Sequence, residues 1–173
     1  MERKRTRYKV DKMNYEVYKK LKNLYKKHGD KEFGRICQIL LELTLQELKY
    51  KTRGRNVERP DIIAVRDTVT FSIECKVPFG SYFNLSKRDL DGIKNVKNAI
   101  PIIATLLVNS TPNWIFAKAI KLKVGKHNKF SLKSYDQKEI SKKINNTFPK
   151  ILERHYDIIL KRGCEGIISK VKN

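Results

Sequence analysis

The sequence predicts a mixed α/β domain, a central sheet flanked by helices, from three observations. Apolar residues recur at helical spacing over the first third of the chain. They then switch to strict alternation over Val69 to Val77, and a continuous apolar run follows at Ile102 to Val108. With 173 residues there is enough chain for one sizeable core. The expected organisation is a basic arm at 1–10 and a single domain at 11–173.

The arm carries Arg3, Lys4, Arg5, Arg7 and Lys9. From Lys12 to His28, Met13, Val17, Leu21 and Leu24 line one face of a basic amphipathic helix, and Gly29 sits where that helix should stop. A second, broadly apolar helix follows over Lys31 to Tyr50, and a polar stretch covers 51–59. Ile62 to Val65 and Val69 to Val77 read as paired strands, and Tyr82 to Leu85 as a short strand. Ser86 with Asp89 three positions on resembles a capping box, opening a helix to about Asn98. Ile102 to Val108 is a buried strand, with Trp114 to Leu122 as its antiparallel or edge neighbour. Gly125 to Asn128 reads as a turn, Asp136 as the cap of a short helix, and Pro149 to Arg162 as a helix stopped by Gly163.

The 39 Lys and Arg against 18 Asp and Glu give a formal charge of +21. A charge of that size calls for a polyanionic partner, and with 40% hydrophobic residues the chain is too rich in core formers to be a disordered basic tail. The longest nearly apolar run, Ala99 to Val108, falls short of the roughly 20 residues that span a bilayer. No apolar stretch backs the N-terminal charges as a secretory leader would require. Cys37, Cys75 and Cys164 fit neither a disulfide framework nor a zinc knuckle, and His28, His127 and His155 are isolated. A cytoplasmic protein without a membrane partner is expected.

The chemistry is concentrated between Pro60 and Lys76. If the two strands form a hairpin centred on Asp67 and Thr68, residues whose numbers sum to 135 oppose each other, and Asp61 and Glu74 are such a pair. Lys76, two residues beyond Glu74, shares its face. Two carboxylates held together call for a cation, either Lys76 or a hard divalent ion such as Mg²⁺, with Mn²⁺ as a substitute.

Pro60-Asp61, a twelve-residue gap and Glu74-x-Lys76 resemble the signature of the PD-(D/E)xK nuclease superfamily, whose fold is restriction-endonuclease-like. Glu-x-Lys also occurs at Glu2–Lys4 and Glu47–Lys49, so the weight falls on the only Pro-Asp in the chain and the strand, turn and strand that follow it. Tyr82 to Leu90, Pro101-Ile-Ile-Ala and Trp114-Ile-Phe are similar to archaeal Holliday-junction resolvases and their viral relatives, over roughly Glu32 to Leu122. The resemblance implies an Mg²⁺-dependent DNA endonuclease, dimeric because a four-way junction has two strands to cut. Asp61, Glu74 and the backbone carbonyl of Cys75 would bind the metal, and Lys76 would orient water or stabilise the transition state. The family adds a glutamate from the preceding helix, with Glu32 favoured over Glu42. Asp89 stands where resolvase-like proteins often carry Gln. Arg53, Arg55 and Arg59 before the motif, and Lys87 and Arg88 after it, are expected phosphate contacts, with Gly54 leaving their loop free to move. A restriction-type or viral nuclease acting on duplex or single-stranded DNA, or a non-catalytic DNA-binding protein of the same fold, are the rival readings.

Overall fold

The computed structural model describes residues 2–54, 60–109 and 111–171, with side chains described from Met13 onward. Helix α1 (Glu2–Glu47) is two helices joined at Gly29, whose φ of 77° with ψ of 173° is a conformation essentially confined to glycine. The helix reaches back over the stretch read as a basic arm, whose side chains lie outside the described residues. Strands β1 (Lys51–Gly54), β2 (Ile62–Arg66), β3 (Val69–Cys75), β5 (Ile100–Leu107) and β6 (Asn113–Lys118) form a sheet in the order β1-β2-β3-β5-β6. Among the described residues only the β3–β5 pair is parallel, and its crossover contains β4 (Tyr82–Leu85) and α2 (Lys87–Lys94). The sheet is therefore mixed and has helices on its flanks, as the sequence predicts.

Alternation in β3 divides the interior in two. Phe71, Ile73, Cys75 and Val77 face the core made with α1 and α3 (Lys138–Arg162). The opposite face of the sheet, through Ile103, Leu107, Ile115 and Ala117, packs against Phe83, Leu85, Leu90 and Ile93 from β4 and α2. Burying both faces leaves the polar alternate positions of β3, Ser72 and Glu74, inside the protein.

Several elements differ from expectation. The basic stretch 51–59 contributes β1, an edge strand of four residues too short and polar to register as a period-two pattern. Gly125–Asn128 is not a turn but strand β7, paired antiparallel with β4 in a separate two-stranded ribbon. The C-terminal helix begins before Pro149, at Lys138. Asp136 does not cap it. Its Oδ1 accepts from Phe116 N–H and Ser141 Oγ, while Asn145 Oδ1 accepts from Trp114 N–H. These bonds occupy amides along the free edge of β6, the liability of any exposed strand. The same helix lies along both arms of α1, through Lys20–Glu153 beside the first arm and Glu47–Arg154 beside the second.

One buried charge fastens the layers. Lys129 Nζ donates to Pro78 O at 2.6 Å and Leu106 O at 2.9 Å, joining the segment after β3 to the end of β5. Burial lowers its pKa to about 8 from 10.5. The folded protein then releases this proton at a lower pH than the unfolded chain, so Lys129 adds stability as pH rises from 8 to 10.5, by about 3 kcal/mol. Urea unfolding across that range should show wild type gaining this increment relative to Lys129→Met, which has no amine to titrate.

Candidate functional site

β2 and β3 pair through Ile62↔Ile73, Ile63↔Ser72 and Ala64↔Phe71, the register in which opposed numbers sum to 135. The turn closes with Asp67 in the left-handed region at φ 53°, a conformation that Asp tolerates better than most residues. Asp61 lies one residue before β2, level with the end of β3. There its side chain takes the place of the missing strand, and Oδ2 accepts the backbone N–H of Cys75 at 2.9 Å.

Glu74 is 1% exposed, and its Oε1 lies 2.9 Å from Lys76 Nζ. The same ammonium lies 2.9 Å from Asp89 Oδ2. Asp89 belongs to the capping box that the sequence suggests: its Oδ2 accepts from Ser86 N–H, and Ser86 Oγ accepts from Asp89 N–H. Burial would raise the Asp89 pKa, but the Ser86 amide and the Lys76 ammonium outweigh it and hold the carboxyl below its ordinary value. Lys76 is thus clamped between a strand carboxylate and a helix-capping carboxylate. The sequence reveals the cap but not its second use.

The helix acid beside Asp61 is Glu42, not the favoured Glu32. Glu42 is buried and accepts from Thr52 Oγ1 at 3.0 Å, and Gln46 Nε2 in turn donates to Thr52 Oγ1. A Cβ on Gly54 would stand 3.3 Å from both Glu42 carboxylate oxygens and 2.8 Å from Asp61 O, so glycine there serves this close approach. One turn earlier on α1, Gln38 Nε2 donates to Asp61 O. Gln38, Glu42 and Gln46 form a polar row at four-residue spacing inside an otherwise apolar helix face, a signal present in the sequence. Glu32 lies ten residues, about 15 Å of helix rise, from Glu42. Its Oε1 accepts from Cys164 N–H at 2.8 Å, and bonding from the Cys164 side chain and amide holds its carboxyl below the usual range.

Cys75 turns its thiol into the α1 core. Burial first, then the charges of Asp61, Cys37 and Glu42, push its pKa up, so it remains a thiol rather than a soft thiolate ligand. The available donors are therefore oxygens, the set that suits Mg²⁺ or Mn²⁺. Among the described residues no three His, Cys, Asp or Glu side chains already gather as a metal centre. Of the expected phosphate contacts, Arg53 is exposed on β1, and Lys87 and Arg88 are exposed on the first turn of α2, beside the Asp89 that holds Lys76. Arg55 and Arg59 lie outside the described residues. No described helix is long and apolar enough to cross a membrane.

Fold and site together define a mixed α/β protein with an acidic and lysine cluster at the open end of a strand hairpin. No known family model matches the chain, and no curated protein matches it in sequence. Among solved structures it is similar to a Holliday junction resolvase from the archaeal hyperthermophile Archaeoglobus fulgidus. The two are 16% identical with a TM-score of 0.48, over 59% of this chain and 89% of that one.

Proposed function

We propose that the protein is a metal-dependent DNA endonuclease that hydrolyses phosphodiester bonds, selective for branched DNA, cytoplasmic, and acting as a homodimer. The observation that supports it best is the closure of the hairpin: Asp61 bonded to Cys75 N–H, with Glu74 and Lys76 on the positions around that bond. Asp61, Glu74 and the Cys75 carbonyl would hold Mg²⁺. Such an ion lowers the pKa of bound water and neutralises charge on the phosphodiester. Lys76, kept in place by Glu74 and Asp89, presents an ammonium for orienting the attacking water or meeting the charge that develops on phosphate. Glu42 backs Asp61 and adds negative charge to the site. Arg53, Lys87 and Arg88, all exposed, would hold the backbone without reading its sequence, and the charge of +21 favours the polyanion at long range.

The test is cleavage of a four-way junction and of linear duplex in Mg²⁺ at stated salt, with faster cutting of the junction expected. A protein that binds both and cuts neither is the non-catalytic DNA-binding rival. A pair of variants separates the two helix acids. Glu42→Gln should slow cleavage by about 10-fold or more while Thr52 keeps its partner, and Glu32→Gln should leave cleavage unchanged and cost about 1 kcal/mol of stability by weakening the bond to Cys164. The reverse pattern would return the role to Glu32.

A further inference from the structure

We propose that the outward face of the β4–β7 ribbon binds unpaired nucleotides of the DNA substrate, with a base stacked on Tyr82 and a phosphate met by Lys126. The proposal rests on the nuclease reading and names a feature of its substrate.

Strand alternation builds the face. Phe83 and Leu85 turn inward to the second core, which leaves Tyr82 and Asn84 outward, directly opposite Asn128 and Lys126. The result is a ring, two amides and an ammonium on one surface. Tyr82 is 54% exposed and Phe130 is 47% exposed, so neither ring is needed by the core. Each has a lysine over it: Lys126 Nζ is 4.6 Å from the Tyr82 centroid, and Lys133 Nζ is 5.6 Å from that of Phe130. Such exposed cation contacts are weak, and a stacking base can replace them while the lysine moves to a phosphate.

Charge selects the partner. From Gly92 to Tyr135 the chain has eight lysines and no Asp or Glu, although 18 acids occur elsewhere. Phosphate contacts alone would need no aromatic rings, and paired bases hide their faces within the stack. Exposed rings among lysines therefore suit unpaired nucleotides better than intact duplex. The ribbon also adjoins the proposed site: Ser86 follows Leu85 directly, and its N–H donates to the same Asp89 oxygen that lies against Lys76.

The test uses the full chain in an Asp61→Asn background without Mg²⁺, so that binding is read without cutting. Fluorescence anisotropy is measured on a forked duplex with unpaired thymidine arms and on a fully paired linear duplex. Adding Tyr82→Ala should weaken fork binding by about 10-fold and leave linear duplex within about twofold, and Tyr82→Trp should restore the fork. Lys126→Ala should weaken fork binding more than linear-duplex binding and lower the salt slope of the fork by about one. Fork binding unchanged by Tyr82→Ala, an equal loss on both probes, or no rescue by Tyr82→Trp would overturn the proposal. Wild-type cutting of the same fork in Mg²⁺ is a separate readout, so failure of the nuclease reading is distinguishable from failure of the ribbon.

Discussion

Asp61→Asn should abolish Mg²⁺-dependent cleavage, by at least about 10³-fold, while DNA affinity stays within about threefold of wild type. The substitution is nearly isosteric. Asn retains a carbonyl oxygen that can accept the Cys75 N–H, so the hairpin closure now made by Asp61 Oδ2 survives and the melting temperature should barely move. What disappears is a negative charge at the place proposed for a divalent cation. Removing one acid from a chain of net charge +21 does nothing to repel a polyanion. Gel assays of cutting and anisotropy of binding on one branched substrate check both halves. Full activity in this variant would mean that the metal site is elsewhere.

Lys76→Ala is expected to be the most damaging single change, because it acts on fold and chemistry together. The ammonium lies 2.9 Å from a carboxylate that is 1% exposed and 2.9 Å from another that is 4% exposed. Losing it leaves that negative charge uncompensated by its nearest cation, and breaking a buried pair from one side costs about 3–5 kcal/mol. Cleavage should fall by about 10²-fold or more. Lys76→Met combined with Asp89→Asn separates the two effects. With one charge removed from each side, urea unfolding should return part of the way to wild-type stability while cleavage stays lost. Recovery of cleavage in the double variant would reduce Lys76 to a structural counter-ion.

How much of this was legible in the sequence depends on the reach of each interaction. The β2–β3 register could be read because a hairpin is local and a two-residue turn fixes which residues oppose. Ser86 with Asp89 could be read because a capping box spans three residues, and Gly29 because a break between two helices favours the one residue that takes a positive φ freely. The helix acid could not be assigned, because Glu32 and Glu42 differ only in which distant partner each meets: the Cys164 turn for one, Thr52 and the Gly54–Asp61 approach for the other. The clamp on Lys76 was hidden for the same reason, since Asp89 reaches it across the β3–β5 crossover. β1 and β7, four residues each, carry lysines and glycines rather than an alternating apolar pattern, so only their neighbours make them strands. The C-terminal segment showed a helix but not its task of covering the β6 edge, which depends on Asp136 and Asn145 meeting amides far away in the chain.

The central claim is that one hairpin gathers acids and an amine for a divalent ion, and its most direct measurement is Mn²⁺ binding followed by electron paramagnetic resonance. Wild type should bind Mn²⁺ in a form that Mg²⁺ displaces, and Asp61→Asn should lose that binding while remaining folded. Equal Mn²⁺ occupancy in the two proteins would contradict the account.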